Sequence, residues 1–477
     1  MIKISGEGLT FDDVLLVPQR SGVVSRKDID ISSHLTSEIK LATPIISANM
    51  DTVTEAKMAA AMAQQGGLGI IHRFMSVGQQ VEEVTKVKRL EGLVIKNPYT
   101  IGPNVILAEA QELMDRFDTS LLVVDKDMKL LGILTFRDLR FEHNFKKSVS
   151  EAMTKGKKLV TGHLGITLER AEALLHKYRI EKLPLIDRQG RLTGLITSRD
   201  LLKRIKFPSA TKDRQGRLMV GAAIGVKEGF LERAEVLVGA GVDILVVDIA
   251  HGHSEPAIDA VKAIKNHFPK TQVIAGNVAT SEGVKDLQDA GADAVKVGVG
   301  PGSVCTTRLV AGSGYPQLSA IDNCARAANV PLIADGGIRY PGDVAKALAA
   351  GATTVMVGNL LAGTDEAPGS VLTKDGRRYK FYRGMAGVGA SLDKKDAEGT
   401  PVEDQLLLDG MTPEGVEALV PYRGTAKEVL TQLVGGLRSG MSYSGAKNIK
   451  ELQRKAQFVR ITSAGIEESH AHDVKEL

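Results

Sequence analysis

The sequence comprises 477 residues with a formal net charge of +4, and 43% of its residues are hydrophobic and 25% are charged. Basic and acidic residues are interspersed, which argues against a nucleic-acid-binding surface. No apolar run is long enough to span a membrane, and the first residues lack the apolar core of a signal peptide. The two cysteines, Cys305 and Cys324, cannot form a disulfide framework, so we expect a cytoplasmic protein.

Eight short apolar runs recur along the chain, at residues 43–50, 67–74, 218–225, 243–250, 272–279, 293–300, 330–337 and 353–360. Most are followed by an alanine-rich segment with apolar residues at helical spacing, as at 57–66, 232–241, 284–291 and 342–351. Continuous apolar runs are typical of buried parallel strands, and eight of them alternating with helices predict an α/β fold, a (β/α)₈ TIM barrel. An open doubly wound sheet is the alternative, but no Gly-x-Gly-x-x-Gly motif opens the first strand–helix unit.

An internal repeat interrupts the strands between the second and third runs. Residues 121–139 match residues 183–201 at an offset of 62, so that Thr135 corresponds to Thr197 and Asp138 to Asp200. The pair resembles a tandem of CBS domains at 92–205, inserted between barrel segments 1–91 and 206–477. The resemblance implies that these four residues hold a regulatory purine nucleotide, ATP or GTP. A helix-capping box also explains Thr-x-x-Asp, so a purely structural insert stays open.

The sixth run leads into a glycine-rich loop, GVGPGSVCTTR (298–308), that carries Cys305. Barrel enzymes place their chemistry at the carboxyl-terminal ends of the strands, so we expect this cysteine at the mouth of the barrel. A thiolate is a strong nucleophile when nearby N–H groups or cations stabilise it. An inert buried cysteine is the alternative, and we accept it for Cys324, which falls in a predicted helix.

Two further glycine-containing segments, ADGGIR (334–339) and GNLLAG (358–363), follow the seventh and eighth runs. Barrels commonly bind phosphate with the loops at these two strand ends. Either segment alone fits a simple turn, but together they favour a phosphate site, with Asp335 available for ribose hydroxyls.

Six segments of the chain resemble the IMP dehydrogenase / GMP reductase family: LTFDDVLLVP (9–18), ISANMDTVTE (46–55), VGPGSVCTTR (299–308), ADGGIR (334–339), YRGM (382–385) and FVRITSAGIEESHAHDV (458–474). The resemblance implies a purine nucleoside 5′-monophosphate, GMP or IMP, whose C2 is attacked by Cys305. It implies a nicotinamide cofactor, NADPH or NAD, at Asp248 and Ala250. The implied nucleotide-binding residues are Asn49, Met50, Asn277, Ser303, Asp335, Gly337, Gly358, Asn359, Tyr382, Gly384 and Met385.

The same resemblance implies a monovalent cation, potassium, and an oligomer. The cation ligands would be carbonyl groups of Gly300, Gly302 and Cys305, with Glu468, Ser469 and His470 contributed by a neighbouring subunit. A homotetramer is expected, and it can pair into an octamer through the CBS domains.

The choice between the two reactions of the family depends on the second step. Dehydrogenases of the family activate water with an Arg-Tyr pair on a mobile flap, whereas the matching segment, 386–424, has no arginine before Arg423. Thr307 and Glu414 match the family's Thr/Glu dyad, which can protonate a leaving amine. A first-turn helix glutamate is the alternative interpretation of Glu414.

Other features divide between the two reactions. Asn49 and the segment GYPQLSA (314–320) are similar to reductases, whereas LLAGTDEAPG (360–369), the length, the insert and the tail are similar to dehydrogenases. Because architecture does not set chemistry, we predict an NADPH-dependent GMP reductase. An NAD-dependent IMP dehydrogenase is the first alternative, and an inactive nucleotide-binding regulatory protein is the second.

Overall fold

The computed structural model describes residues 6–90, 95, 98–117, 119–198, 201–202, 206–397, 412–472 and 474. The chain forms two compact units, the first comprising residues 1–90, 209–213 and 218–477 and the second residues 91–208 and 214–217. Among the described residues, we find no helix with the length and apolar character of a membrane span.

Eight parallel strands close a barrel in the first unit. They are β1 (Ile45–Ser47), β2 (Leu68–Ile71), β3 (Gly221–Ile224), β4 (Ile244–Asp248), β5 (Gln272–Val278), β6 (Ala294–Val297), β7 (Leu332–Asp335) and β8 (Thr354–Val357). Their order around the barrel follows the chain, and β1 closes the ring by pairing with both β2 and β8. Each strand lies within one of the eight apolar runs, so the predicted TIM barrel is confirmed.

Eight helices cover the strands. They are α1 (Ala56–Gln64), α2 (Val77–Leu90), α3 (Phe230–Gly239), α4 (Glu255–His267), α5 (Ser281–Asp289), α6 (Gln317–Ala325), α7 (Pro341–Ala349) and α8 (Ala426–Tyr443). Small side chains let these helices approach the barrel closely: a Cβ on Gly69 of β2 would collide with Ala59 of α1. Strands and helix faces share one large apolar core.

Shorter elements extend the first unit. Strand Val14–Leu16 pairs with Phe458–Arg460, Ser33–His34 pairs with Lys40–Leu41, and Leu372–Lys374, Arg377–Arg383 and Glu417–Pro421 form an antiparallel sheet. The short helices are Phe11–Asp13 and Arg26–Asp28, both 3₁₀, and Thr307–Val310, Asn359–Ala362, Val388–Ala397, Ile449–Lys455 and Ser463–Glu468. The predicted flap, 386–424, is described at both ends, and its residues 398–411 lie outside the described part.

The second unit contains two small sheets. One is formed by Thr100–Ile101, Leu121–Val124, Leu130–Leu134 and Thr154–Lys155, and the other by Gly162–His163, Lys182–Ile186 and Leu192–Thr197. Its helices are Leu107–Phe117, Phe136–Leu139, Val149–Ala152 and Leu168–Tyr178, with a 3₁₀ turn at Gly156–Lys158.

The two copies of the repeat meet at residues that correspond to each other. Lys129 forms a backbone bridge with Arg191, its equivalent at the offset of 62. Ile133 and its equivalent Leu195 are buried in one shared apolar cluster. The contact between the copies is therefore a local pseudo-twofold arrangement, as expected when similar sequences bury the same apolar face.

Candidate active site

Cys305 lies on the loop between β6 and the short helix Thr307–Val310, at the carboxyl-terminal end of the barrel. The loop leaves β6 through Gly298, whose φ of 153° suits only glycine and where a Cβ would collide with the carbonyl oxygen of Asp335. The backbone N–H of Cys305 donates to the Gly302 carbonyl at 3.1 Å. This tight turn presents a partly exposed thiol at the mouth of the barrel. Cys324, in contrast, is buried in α6, and burial raises the pKa of its thiol to about 12.

A chain of hydrogen bonds joins Cys305 to two further side chains. The thiol donates to Oγ1 of Thr307 at 3.3 Å, and this hydroxyl donates to Oε2 of Glu414 at 2.6 Å. A proton can therefore move between the sulfur and the carboxylate through one hydroxyl.

The backbone around Glu414 holds it against the cysteine loop. Its carbonyl accepts from the N–H of Thr306 at 2.8 Å, and its N–H donates to the Ala386 carbonyl at 3.0 Å. Glu414 lies outside any helix, next to a bridge between Gly415 and Cys305. The alternative interpretation of Glu414 as a first-turn helix residue is therefore wrong, because the segment is extended and forms a backbone bridge with the cysteine loop instead of a helix.

Polar groups from three loops surround the space beside the cysteine loop. Asn359, after β8, donates from Nδ2 to Oγ of Ser303 at 3.2 Å. Tyr382 is 3% exposed, and burial raises the pKa of its phenol to about 12, although a hydrogen bond with Ser303 acts in the opposite direction. A Cβ on Gly358 would lie 3.0 Å from the Tyr382 hydroxyl. Gly337, with a φ of 82°, follows β7 and packs against the ring of Phe11.

A buried cluster of charged groups lies at the ends of β4, β6 and β7. The ammonium group of Lys296 donates to Oδ1 of Asp248 and to Oδ2 of Asp335, both at 2.8 Å. Asn277 donates from Nδ2 to the same Asp335 oxygen at 2.9 Å. Sequence analysis missed Lys296, although a lone charged residue inside an otherwise apolar strand run is a signal that could have found it.

Interactions within the cluster keep the Asp248 carboxylate ionised despite its burial. Burial alone would raise the pKa of Asp248, but the Lys296 ammonium, the charge of Arg73 and a hydrogen bond from Asn49 outweigh it, so that pKa lies below its ordinary value. Asp248 nevertheless keeps 24% of its side-chain surface exposed, which leaves it accessible from the mouth. Ala250 follows on an exposed bend after β4.

The two methionines expected near the nucleotide lie on facing loops. Sδ of Met50 is 3.6 Å from the Tyr382 hydroxyl, and Sδ of Met385 is 3.4 Å from the backbone nitrogen of Asp51. Gly384 packs directly on Gly415, on the segment that carries Glu414.

The residues expected to bind a cation lie on two separate elements of one chain. Gly300 and Gly302 lie on the cysteine loop, whereas Glu468 ends an exposed helix and is followed by Ser469 and His470. Within the described residues, no group of three or more His, Cys, Asp or Glu is arranged to bind a metal ion. Backbone carbonyls are nonetheless suitable ligands for potassium.

The second unit contains a cavity of about 260 Å³ lined by Thr135 and Asp138. Oδ2 of Asp138 accepts from the backbone nitrogen and from the hydroxyl of Thr135, both at 2.7 Å, so the capping box is formed. Thr197 ends its strand, and Asp200 lies outside the described residues. The lining also contains four basic side chains, Arg137, Arg140, Lys158 and Lys182.

A (β/α)₈ barrel with hydrogen-bonded cysteine, threonine and glutamate side chains at its mouth has the architecture of a barrel enzyme, whose site lies at the carboxyl-terminal ends of the strands. The IMP dehydrogenase / GMP reductase domain matches residues 8–472, and the chain belongs to this family of purine nucleotide oxidoreductases, which use nicotinamide cofactors. The predicted family membership is therefore confirmed.

Curated relatives in this family carry the dehydrogenase name. The chain is 56% identical over 475 residues to the inosine-5′-monophosphate dehydrogenase of Aquifex aeolicus, covering 98% of this chain and 96% of that protein. It is 52% identical over 472 residues to the corresponding enzyme of Nitrosopumilus maritimus, covering 98% of each. These names favour the alternative prediction, IMP dehydrogenase.

Solved structures similar to this chain carry the reductase name. A cysteine-to-alanine variant of Trypanosoma brucei GMP reductase, in complex with guanosine 5′-monophosphate, has a TM-score of 0.92 at 48% identity, covering 98% of each chain. The same reductase in complex with guanosine 5′-triphosphate has a TM-score of 0.80 at 43% identity, covering 96% of this chain and 98% of that chain. Names alone therefore leave the reaction open.

Proposed function

We propose that this protein is a GMP reductase, which converts GMP to IMP and ammonia at the expense of NADPH. The observation that carries the proposal is the absence of any arginine before Arg423 in residues 386–424, the segment that matches the flap in which dehydrogenases of the family hold their water-activating Arg-Tyr pair. The thiol–hydroxyl–carboxylate chain of Cys305, Thr307 and Glu414 supplies a proton path without that pair.

The polar groups at the mouth suit a nucleoside monophosphate. Ser303, Asn359 and Tyr382, with the backbone of Gly358, would bind the phosphate, and Asp335 would accept from the ribose hydroxyls. Asn49, Met50, Asn277, Gly337, Gly384 and Met385 would complete the contacts to sugar and base. These contacts would place the purine C2 over the sulfur of Cys305, because the residues that would bind phosphate and ribose lie on the cysteine loop itself and at the ends of β7 and β8.

The reaction begins when Thr307 accepts the thiol proton and passes its own proton to Glu414, leaving a thiolate to attack C2. The carboxyl group of Glu414 then returns the proton through Thr307 to the amino group at C2, and the C–N bond breaks to release ammonia. Asp248 and Ala250 would hold the nicotinamide nucleotide, which would supply hydride to C2. The carbon–sulfur bond would then break to release IMP, and the thiolate of Cys305 would take up a proton from water to restore the thiol.

The second candidate is an IMP dehydrogenase, which the names of the relatives at 56% and 52% identity favour. It would transfer hydride from IMP to NAD⁺ and hydrolyse the same cysteine adduct to XMP. Two assays of the purified protein separate the candidates: GMP with NADPH, and IMP with NAD⁺, each followed by nicotinamide absorbance. We expect NADPH oxidation with release of ammonia. Steady XMP formation without GMP-dependent NADPH oxidation would establish the dehydrogenase.

For the second unit we propose a regulatory site, in a CBS pair at residues 92–205, for a purine nucleoside triphosphate such as ATP or GTP. Four basic side chains around the cavity suit a polyphosphate. The repeat-equivalent of Lys182 is Ser120 and that of Arg140 is Leu202, so the two copies differ in charge at corresponding positions. Calorimetric titration with ATP and GTP tests this proposal, which fails if neither binds.

We also propose a potassium ion and a homotetramer or octamer. The carbonyls of Gly300, Gly302 and Cys305 would hold the cation together with Glu468, Ser469 and His470 of a neighbouring subunit. Comparing the enzyme's activity in potassium and in sodium salts tests the cation proposal. Measuring the molecular mass by light scattering tests the oligomer proposal.

A further inference from the structure

Lys296 is among the most deeply buried charged residues of the described chain, with 2% of its surface exposed. It belongs to β6 but reaches the ends of two other strands, because its ammonium group contacts Asp248 at the end of β4 and Asp335 at the end of β7. Gly276 on the intervening strand β5 makes room for it: a Cβ there would lie 2.6 Å from the Cβ of Lys296.

A buried ammonium group is costly unless it is paired. Here burial would lower the pKa of Lys296, but Asp248 and Asp335 outweigh burial and raise it, so the side chain stays charged. One cation therefore bridges two carboxylates that would otherwise repel each other across the barrel mouth. Arg73 lies near Asp248, while Tyr382 lies near both Asp335 and Cys305.

We propose that Lys296 is a positioning residue that orients Asp335 toward the nucleotide ribose and Asp248 toward the nicotinamide nucleotide. The proposal rests on the proposed roles of those two aspartates. Without the ammonium group, the two carboxylates repel, and one of them takes up a proton or turns away. Both ligands then lose a correctly placed acceptor, although Lys296 touches neither.

Lys88 on α2 provides a matched control, because it pairs with an aspartate at the opposite end of β4. Lys88 is 5% exposed, and its ammonium group contacts Asp213 at 3.0 Å and Asp243 at 2.7 Å. Asp243 precedes β4, whose other end carries Asp248. Lys88 therefore has the same buried chemistry, remote from the mouth.

The experiment compares Lys296→Met, Lys296→Arg and Lys88→Met in the full-length protein. GMP is titrated calorimetrically, followed by NADP⁺, which does not react with GMP; IMP followed by NADH is titrated in parallel, and melting temperatures are recorded. For Lys296→Met we expect both dissociation constants to rise about 10-fold to 100-fold, the effect of losing a hydrogen bond between charged groups. Lys296→Arg should restore part of the affinity. Lys88→Met should lower the melting temperature and leave both dissociation constants unchanged.

The double variant Lys296→Met/Asp248→Asn keeps the test decisive if the single variant fails to fold, because it removes one of the two repelling charges. Asp335 remains held by Asn277, so GMP affinity should be close to the wild-type value, while affinity for NADP⁺ stays low. A loss of GMP affinity in the double variant as large as its loss of NADP⁺ affinity, or equal effects of Lys88→Met and Lys296→Met on binding, would overturn the proposal. A wild-type protein that binds neither GMP nor IMP would instead refute the proposed function.

Discussion

Replacing Glu414 by glutamine tests the proton path directly. The 2.6 Å contact between Oγ1 of Thr307 and Oε2 of Glu414 is a short hydrogen bond to a carboxylate. Glutamine keeps the shape and one acceptor but cannot carry the proton. General acid–base groups contribute about 10²-fold to 10⁴-fold to rate, so we expect kcat with GMP and NADPH to fall by that factor. The KM for GMP should stay within about threefold of the wild-type value, because the phosphate and ribose groups lie on other loops.

The control for this variant is Glu417→Gln, three residues further along the same segment, where the side chain is exposed and should leave kcat unchanged. Steady-state rates are measured by nicotinamide absorbance and, independently, by ammonia release. Thr307→Val combined with Glu414→Gln should be no slower than the slower single variant, since both changes interrupt one path. Turnover of Glu414→Gln within about tenfold of wild type would refute the relay.

Three further predictions follow from the same geometry. Cys305→Ala should reduce turnover by about 10³-fold or more while retaining GMP binding by calorimetry, whereas Cys324→Ala should stay active; near-normal turnover of Cys305→Ala would exclude the covalent route. Gly298→Ala should weaken GMP binding and lower the melting temperature, because its φ is 153° and its Cβ would collide with the Asp335 carbonyl, while Gly239→Ala, with open space around it, should be neutral or stabilising. Joining residue 91 to residue 206 should leave a folded, active barrel that no longer responds to ATP or GTP, since the two units have separate cores; loss of all activity would contradict this.

The barrel strands could be predicted from the sequence because a strand that is buried on both faces reads as a continuous apolar run. All four residues of β2, β3, β6 and β8 are buried, and each of these strands reads as an uninterrupted apolar or small run, except for one lysine in β6 and one threonine in β8. The position of Cys305 followed from the same pattern, since a loop after a barrel strand must lie at the mouth.

The partners of these residues could not be predicted from spacing. Glu414 lies 107 residues from Thr307, and its surroundings predict a helix as readily as the bridge that forms. The Thr135–Asp138 pair forms the capping box and also lines a cavity, so one local pattern serves both interpretations. Lys296 was overlooked because its two partners lie 48 and 39 residues away in the chain, so no local pattern predicts them.

The sequence by itself determined the repeated strand–helix units, the insert with its internal repeat, and the reactive loop with its cysteine. These are local properties, since the periodicity of apolar residues and the conformational needs of glycine act over a few residues. Only the tertiary structure decided which side chains meet at the mouth. Closing the barrel brings Lys296 within 2.8 Å of carboxylates 48 and 39 residues away, and that contact arises from strand pairing and register, which no short stretch of sequence encodes.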